Sequence, residues 1–254
     1  MAEGYYINNT DLSTLMEIVR VDAMGHAPAM LQDDYLVPGR TGAIATKPWF
    51  GPSTVMIGGI IKASTRPLYL EKMHNLIKLC VNSGLPFTMK RVLPFPTGDR
   101  TATAQARYMG GLDMVEQISP RAGKAMVEFS LLSSFWSDEN YTSSQPQAAN
   151  FGLQVQTDTA TSDLIVVLSG GSNQRLTNVV TGDWVQFNAS TSAQPVTLNV
   201  AAFTAVQNSL NVIDKVSTNP SNTTRYWLTM PPGANQFALT GGGTVTIQYK
   251  GLYV

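Results

Sequence analysis

The sequence has 254 residues, a formal net charge of +0, and charged side chains at only 13% of positions. This balance lacks the basic excess that nucleic-acid-binding proteins use to neutralise phosphates. The lone Cys80 excludes an intrachain disulfide, no apolar run approaches the roughly 18 residues of a membrane span, and the first residues lack a signal-peptide pattern, so we expect a soluble protein that is not exported.

Elements of mixed type are predicted before residue 140. Strands are expected over residues 5–7, 15–21, 55–61 and 125–135, with Trp136 closing the domain. Residues 8–11 read as a turn after the first strand. Gly58-Gly59 interrupts an otherwise continuous apolar strand.

One amphipathic helix is predicted in this half. Five residues recur at the spacing i, i+4, i+7, i+8 and i+11, which places them on one face: Tyr69, Met73, Leu76, Ile77 and Cys80. Ser64 or Thr65 can cap its start, Pro67 suits the first turn, and Gly84 suits the left-handed position after its end.

The composition changes sharply at residue 140. Thirteen of the 17 basic and thirteen of the 17 acidic residues lie before it. The chain beyond is rich in Thr, Ser, Asn and Gln. We therefore predict a first domain over residues 1–139, a linker over 140–150 and a second domain over 151–254.

The second domain is predicted to be wholly β. Strands are expected over residues 164–168, 184–187, 196–200, 210–216 and 226–230, with two more around the turn at Gly241-Gly242-Gly243. Phe237 and Leu239 share one face, and Val245, Ile247 and Tyr249 share the next. Short strands between Gly, Asn and Pro turns are typical of a sandwich or jelly roll.

The sequence offers no catalytic or metal-binding set. His26 and His74 lie in different elements, and no ligand spacing typical of zinc occurs. Asp113 and Glu116 could share a helix face, which is a common surface arrangement. We therefore predict that the protein is not an enzyme and uses no cofactor or metal.

Strand parity points to two tryptophans as candidate binding residues. If Val185 and Phe187 face the core, Trp184 faces outward, and by the same alternation Arg225 and Trp227 face outward when Tyr226, Leu228 and Met230 are buried. Exposed aromatic rings stack on sugars or anchor partner proteins. A loop or the neighbouring domain could instead cover each ring.

The order of elements and turns resembles the distal tail proteins, or Dit proteins, of long-tailed bacteriophages. The resemblance covers essentially the whole chain and rests on these motifs: Tyr6-Ile7-Asn8 through Asp11-Leu12, His26-Ala27-Pro28, Pro38-Gly39-Arg40-Thr41-Gly42, Gly182-Asp183, and Pro232-Gly233-Ala234-Asn235. It implies an N-terminal α+β ring-forming domain followed by a galectin-like β-sandwich.

The resemblance also implies a function in the virion. Dit proteins form a six-membered ring between the tail tube and the tail-tip hub, with galectin-like lobes at its periphery. The implied partners are other copies of the chain, the tube and hub proteins, and the tape measure or receptor-binding proteins. Assembly is expected in the cytoplasm of the host bacterium.

We expect two segments to contribute to the ring contacts. They are the turn over residues 37–43, which contains Pro38, Gly39, Arg40 and Gly42, and the aromatic pair Trp49-Phe50. A subunit in a closed ring must offer two different surfaces.

The alternative function is a carbohydrate-binding sandwich that recognises host-wall glycans through Trp184 or Trp227. A galectin-like lobe is compatible with both functions, because a fold does not determine the sites that it carries. No acid and base pair supports a hydrolase.

Overall fold

The computed structural model is mainly β, as the sequence predicts, and holds one α-helix within the residues that it describes. The described residues are 4–22, 30–31, 34–36, 43–45, 49–81, 86–94, 99–219 and 227–253, with side chains described at all of these except 22, 30–50 and 110–117. The chain divides into two compact units, Met1–Ser137 and Asp138–Tyr253.

The bounds of the elements follow in chain order. The first are β1 Gly4–Ile7, β2 Thr10–Asp11, a 3₁₀ turn Leu12–Thr14, β3 Glu17–Asp22, β4 Met30–Leu31, β5 Asp34–Leu36, β6 Ala43–Ala45, β7 Trp49–Phe50, β8 Ser53–Lys62, α1 Arg66–Val81, β9 Phe87–Leu93, β10 Arg100–Ser119, β11 Ala122–Leu131 and β12 Trp136–Asp138. The later ones are β13 Thr142–Ser143, β14 Asn150–Val155, β15 Leu164–Ser169, β16 Ser172–Asn178, β17 Trp184–Ser190, β18 Val196–Asn199, β19 Thr204–Gln207, β20 Leu210–Asn211, a 3₁₀ turn Ile213–Lys215, β21 Val216–Thr218, β22 Gly233–Thr240, β23 Thr244–Tyr249 and β24 Leu252–Tyr253.

The first unit is built on an antiparallel sheet in the order β2-β1-β9-β10-β11-β8-β3. Strand β10 joins its two parts, because Ala106 pairs with Phe87 of β9 and with Leu131 of β11. One face of the sheet is buried, as Ile57, Val127 and Phe129 show. The alternate residues of β8 and β11 face the other way.

The predicted helix is confirmed as α1. Thr65 caps it, since its Oγ1 accepts a hydrogen bond from the Leu68 amide at 3.4 Å. Tyr69, Leu76 and Cys80 are buried, and α1 contacts β8 and β10. Gly84 lies outside the described residues.

Three predictions in this unit are wrong in detail. Asp113 and Glu116 lie on β10 and not on a helix. The strand predicted from residue 15 begins at Glu17 after a 3₁₀ turn, and the strand predicted to residue 135 ends at Leu131. Strands β9 and β10 were not predicted. The missing signal of β10 has a physical cause, because its buried positions hold Ala102, Ala104 and Ala106, small residues of low β propensity.

The second unit is a sandwich of two antiparallel sheets, and the predicted fold class is confirmed. The strand orders are β13-β23-β15-β18-β19-β20 and β14-β22-β16-β17-β21. One apolar core lies between them, formed by alternate residues such as Val166, Leu198, Phe187 and Phe237. Phe237 and Leu239, and likewise Val245, Ile247 and Tyr249, are buried as predicted.

Three connections that cross between the sheets converge on one buried glutamine. They are Gly170-Gly171 between β15 and β16, residues 191–195 between β17 and β18, and Gly241–Gly243 between β22 and β23. Gln174 Nε2 donates to the carbonyls of Ser169 at 3.2 Å and Gly242 at 2.7 Å. Its Oε1 accepts from the Thr191 hydroxyl.

The glycine turn at residues 241–243 requires glycine for two reasons. All three residues have positive φ, between 71° and 86°, a region that glycine enters without steric cost. A Cβ on Gly243 would lie 2.1 Å from the Ser169 carbonyl oxygen. The two crossings therefore pack backbone against backbone, and no side chain fits between them.

A second buried polar cluster joins the turn after β16 to the segment before β22. Asn178 Nδ2 donates to the Thr229 carbonyl at 2.9 Å and to Asn235 Oδ1 at 3.1 Å. Asp183 Oδ2 accepts from the Thr229 hydroxyl at 2.7 Å. Asn235 Nδ2 in turn donates to the Pro231 carbonyl at 2.9 Å.

This cluster explains why the strand predicted over residues 226–230 is wrong over 227–230, while Tyr226 lies outside the described residues. Thr229 bonds to the side chains of Asn178 and Asp183 instead of to the backbone of a neighbouring strand, and within 227–230 only Met230 makes a bridge, to Thr161. Leu228 and Met230 are nevertheless fully buried. The burial was predicted correctly although the backbone conformation was not.

The strand predicted over residues 210–216 is also wrong. It is divided into β20, a 3₁₀ turn and β21. Asn211 Oδ1 accepts from the Ile213 amide at 3.1 Å. This local bond turns the chain and competes with continued strand pairing.

The stretch predicted as a linker, residues 140–150, contains paired backbone. Strand β13 pairs with β23, and Gln147 bridges to Val245. Tyr141 donates its hydroxyl proton to Asp163 Oδ1 at 2.7 Å. Burial and the Asp163 carboxylate raise the pKa of Tyr141 to about 12.

We predict that Gln174→Met destabilises the second unit by about 3 kcal/mol, because the carbonyls of Ser169 and Gly242 lose their amide donor and the buried Thr191 hydroxyl loses its acceptor on Gln174, while the volume is kept. Native-state hydrogen exchange followed by mass spectrometry, which resolves the two units, measures the effect. The matched control is Gln236→Met, an exposed glutamine on β22, for which we expect a change within about 0.5 kcal/mol. Equal protection of β15 and β16 in the two variants would contradict the prediction.

Candidate interaction surfaces

The described residues contain no group of three or more His, Cys, Asp or Glu side chains that could hold a metal ion. His74 is exposed on α1. Cys80 is buried, and burial raises the pKa of its thiol to about 12, which keeps it protonated and unreactive. Among the described helices, none has the length and apolar character needed to cross a membrane.

The first candidate surface is a shallow apolar depression on the outer face of the first-unit sheet, here called the Gly58 depression. Its volume is about 280 Å³, and it is lined by Val19, Arg20, Gly58, Gly59, Ile60, Lys124, Ala125 and Met126. Gly58 lies between Met126 of β11 and Arg20 of β3 in the strand register. The missing side chain at this position creates the depression.

Exposed apolar side chains surround this surface. Val19 is 64% exposed and Met126 is 38% exposed. A bulge between Ile18 and Arg20 accommodates Val19 on β3. Arg20 and Lys124 bring charge to its lining, and Glu17, the register partner of the lining residue Ile60, forms an exposed ion pair of 2.7 Å with Lys62.

The second candidate surface is the outer face of the five-stranded sheet, here called the Trp184 face. Val185 and Phe187 are fully buried, so Trp184 and Gln186 point outward, as strand parity predicts. Trp184 is half-buried. In the neighbouring strands it stands beside Thr177, which pairs in turn with Ala238.

The Trp184 ring is held by a cation. The guanidinium carbon of Arg175 lies 4.1 Å from the centre of the ring, the arrangement of a cation–π contact. Arg175 pairs with Gln186 in the strand register. Its Nε is buried without a hydrogen-bond partner.

A chain of polar side chains continues from this pair. Gln186 Nε2 donates to Asn188 Oδ1 at 2.8 Å, and Asn188 Nδ2 donates to Ser217 Oγ at 2.7 Å. Gly152 on β14 is the register partner of Gln236 on β22, and a Cβ on Gly152 would lie 3.2 Å from Gln236 Nε2. The Trp184 face thus combines one aromatic ring, one guanidinium and several amides.

The structure separates the predicted binding residues. Trp227 packs partly against the sandwich core and meets Phe203 edge-on, with ring centres 5.7 Å apart. Phe203 lies between β18 and β19 of the six-stranded sheet, whereas Trp184 stands on the other sheet. The two tryptophans therefore do not form one site, and Arg225 lies outside the described residues.

The predicted ring contacts lie mostly outside the described part of the chain. Pro38, Gly39, Arg40 and Gly42 are not among the described residues. Trp49 and Phe50 form β7, in which Trp49 pairs with Leu31 and Phe50 with Met30 of β4.

Two features were missed by sequence reasoning. The Gly58 depression had a signal, because the Gly58-Gly59 pair interrupts an apolar strand, a pattern that often marks close approach of another group. Arg175 had no comparable signal in the sequence. It lies on β16, which was not predicted, and its contact with Trp184 follows only from the pairing of β16 with β17.

Comparisons with known proteins give structural similarity only. No protein-family profile matches the sequence, and no curated protein matches it. The fold is similar to that of the SPP1 Dit (gp19.1) protein, described as a paradigm of the hub adsorption apparatus in phages that infect Gram-positive bacteria. The TM-score is 0.65 at 12% identity, and the alignment covers 98% of this chain and 99% of that one.

A further match is a chain of the phage P2 baseplate in its activated conformation with calcium. It has a TM-score of 0.45 at 8% identity, over 99% of this chain and 98% of that one. The similarity to SPP1 Dit shows that the two chains share a fold along nearly their whole lengths.

We predict opposite responses to alanine at the two adjacent glycines of β8. A Cβ on Gly59 would lie 2.8 Å from the Glu17 carbonyl oxygen and 2.9 Å from the Met16 sulfur, so Gly59→Ala should cost about 1–3 kcal/mol through overpacking. A Cβ on Gly58 would lie 3.7 Å from its nearest neighbour, so Gly58→Ala should leave stability unchanged or raise it. Thermal denaturation of both variants checks the contrast, and equal losses would refute it.

Proposed function

We propose that this protein is a structural component of a phage tail tip that forms a six-membered ring between the tail tube and the tail-tip hub. The observation that carries the proposal is the fold shared with SPP1 Dit along the whole chain, both units included. Two units of matching order in a single chain are a more specific arrangement than either fold alone.

The first unit forms the ring in this proposal. The Gly58 depression and its apolar surroundings support that role, because an apolar recess bordered by charged groups is typical of a protein interface. A ring requires two different surfaces on each subunit. The segment containing Pro38, Gly39, Arg40 and Gly42, together with Trp49 and Phe50, is proposed to contribute the other contacts.

The second unit is proposed to form a peripheral lobe. Its sandwich core is complete within Asp138–Tyr253, so it does not need the ring to bury its apolar residues. In this arrangement the protein lies at the distal end of the virion tail after assembly in the host cytoplasm. Its neighbours are the tube and hub proteins, and the tape measure or receptor-binding proteins.

We predict that Gly58→Leu abolishes ring formation without unfolding the subunit. The leucine side chain fills the depression, yet a Cβ at this position meets only ordinary contacts. Light scattering and negative-stain imaging should show hexamers of the 27.4 kDa chain for the unchanged protein. The variant should give monomers, or at least a tenfold weaker association.

The matched control is Leu210→Asp, which changes an apolar residue of the second unit that is 66% exposed. It should leave the hexamer intact, because it lies outside the ring-forming unit. A wild-type protein that remains monomeric at high concentration would contradict the ring proposal. A hexamer that survives Gly58→Leu would remove only the Gly58 depression from it.

We predict separately that Trp49→Ala weakens the ring at least tenfold. Aromatic residues dominate the binding energy of many interfaces, and β7 lies in the first unit. Sedimentation velocity of the variant measures the effect. A fully hexameric Trp49→Ala protein would exclude this residue from the contacts.

A further inference from the structure

We propose that the Trp184 face binds an oligosaccharide that carries an anionic group. In this site Arg175 pairs with the anion, Trp184 contacts a sugar ring, and the neighbouring amides bond to hydroxyl groups. The proposal does not depend on the ring, because every residue in it belongs to the second unit.

The first step of the argument is the charge of the face. Among the described residues, no carboxylate forms an ion pair with Arg175, and its guanidinium makes a cation–π contact with the Trp184 ring. Asp183 is adjacent in sequence to Trp184 but is 4% exposed, and its Oδ2 accepts from Thr229. A cation without an acidic neighbour is complementary to an anionic ligand, and the planar guanidinium matches carboxylate or phosphate oxygens.

The second step is the fixed position of the cation. Stacking on Trp184 restricts the guanidinium plane, so less side-chain entropy is lost when a ligand binds. Arg175 is half-buried, with its Nε enclosed. The terminal nitrogens are thereby left as the groups that can reach a ligand.

The third step is the surroundings of the pair. Gln186, Asn188 and Ser217 form a connected set of donors and acceptors on one side, which suits the hydroxyl groups of a sugar. On the other side Thr177 and Ala238 provide a low floor next to Trp184. An aromatic ring beside such a floor can pack against the apolar face of a pyranose.

The same composition disfavours two other macromolecules. A nucleic acid needs several cations along its backbone, and the chain beyond residue 139 has four basic residues in all. A protein partner is usually anchored by several aromatic or arginine hot spots that cluster at the centre of the interface. Among the described residues of this face, a single aromatic ring stands among amides and small residues.

The experiment is a titration of the full chain, labelled with ¹⁵N, with three probes: hexagalacturonate, phosphorylated maltohexaose and neutral maltohexaose. The indole signal of Trp184, identified by its absence in Trp184→Phe, should shift with an acidic probe. Arg175→Gln should weaken that binding at least tenfold and Trp184→Ala should abolish it. The stronger of the two acidic probes identifies a carboxylate or a phosphate as the anion.

The control variant is Lys250→Gln. It removes the cation that lies 4.9 Å from the centre of the Tyr141 ring, a matched cation–π pair elsewhere in the second unit, and binding should be unchanged. Dispersed spectra of each variant establish that it is folded. Absence of binding to both acidic probes, equal binding to maltohexaose, or binding insensitive to Arg175→Gln would each overturn the proposal, whatever the oligomeric state.

Discussion

The second unit depends on the hydrogen bonds of one buried amide. Gln174 bonds to backbone or side-chain groups of three separate connections, each of which passes from one sheet to the other. Because the crossings pack backbone against backbone around Gly243, the sheets cannot slide without breaking all three. The register of β16 and β17 is fixed as a consequence, and with it the side of the sheet on which Arg175 and Trp184 stand.

The buried polar cluster at the opposite end of β16 contains residues from two of the sequence motifs that resemble the Dit family. Gly182-Asp183 and the segment ending at Asn235 suggested a known family, and the structure gives their residues structural tasks. Asp183 and Asn235 are buried and bond to the segment around Thr229. Their burial and hydrogen bonds give both residues a role in stabilising the fold.

Sequence reasoning succeeded where burial alternates strongly and failed where local bonds decide the backbone. Phe237 and Leu239 lie in a strand bounded by glycines, so period and turns agree. Leu228 and Met230 alternate in the same way, yet Thr229 bonds to buried side chains from another turn, which no local pattern reveals. Contacts between distant strands, such as that of Arg175 with Trp184, depend on register and could not be read from spacing.

The order of strands also constrains when the second unit can fold during its synthesis. Strand β22 lies between β14 and β16, and β23 lies between β13 and β15, so these two consecutive strands supply an inner strand to each sheet. A nascent chain that ends before Gly233 contains most strands of the sandwich but lacks one inner strand of each sheet. Folding of the second unit must therefore wait for the ribosome to pass Tyr249, and unpaired strand edges need protection during that interval.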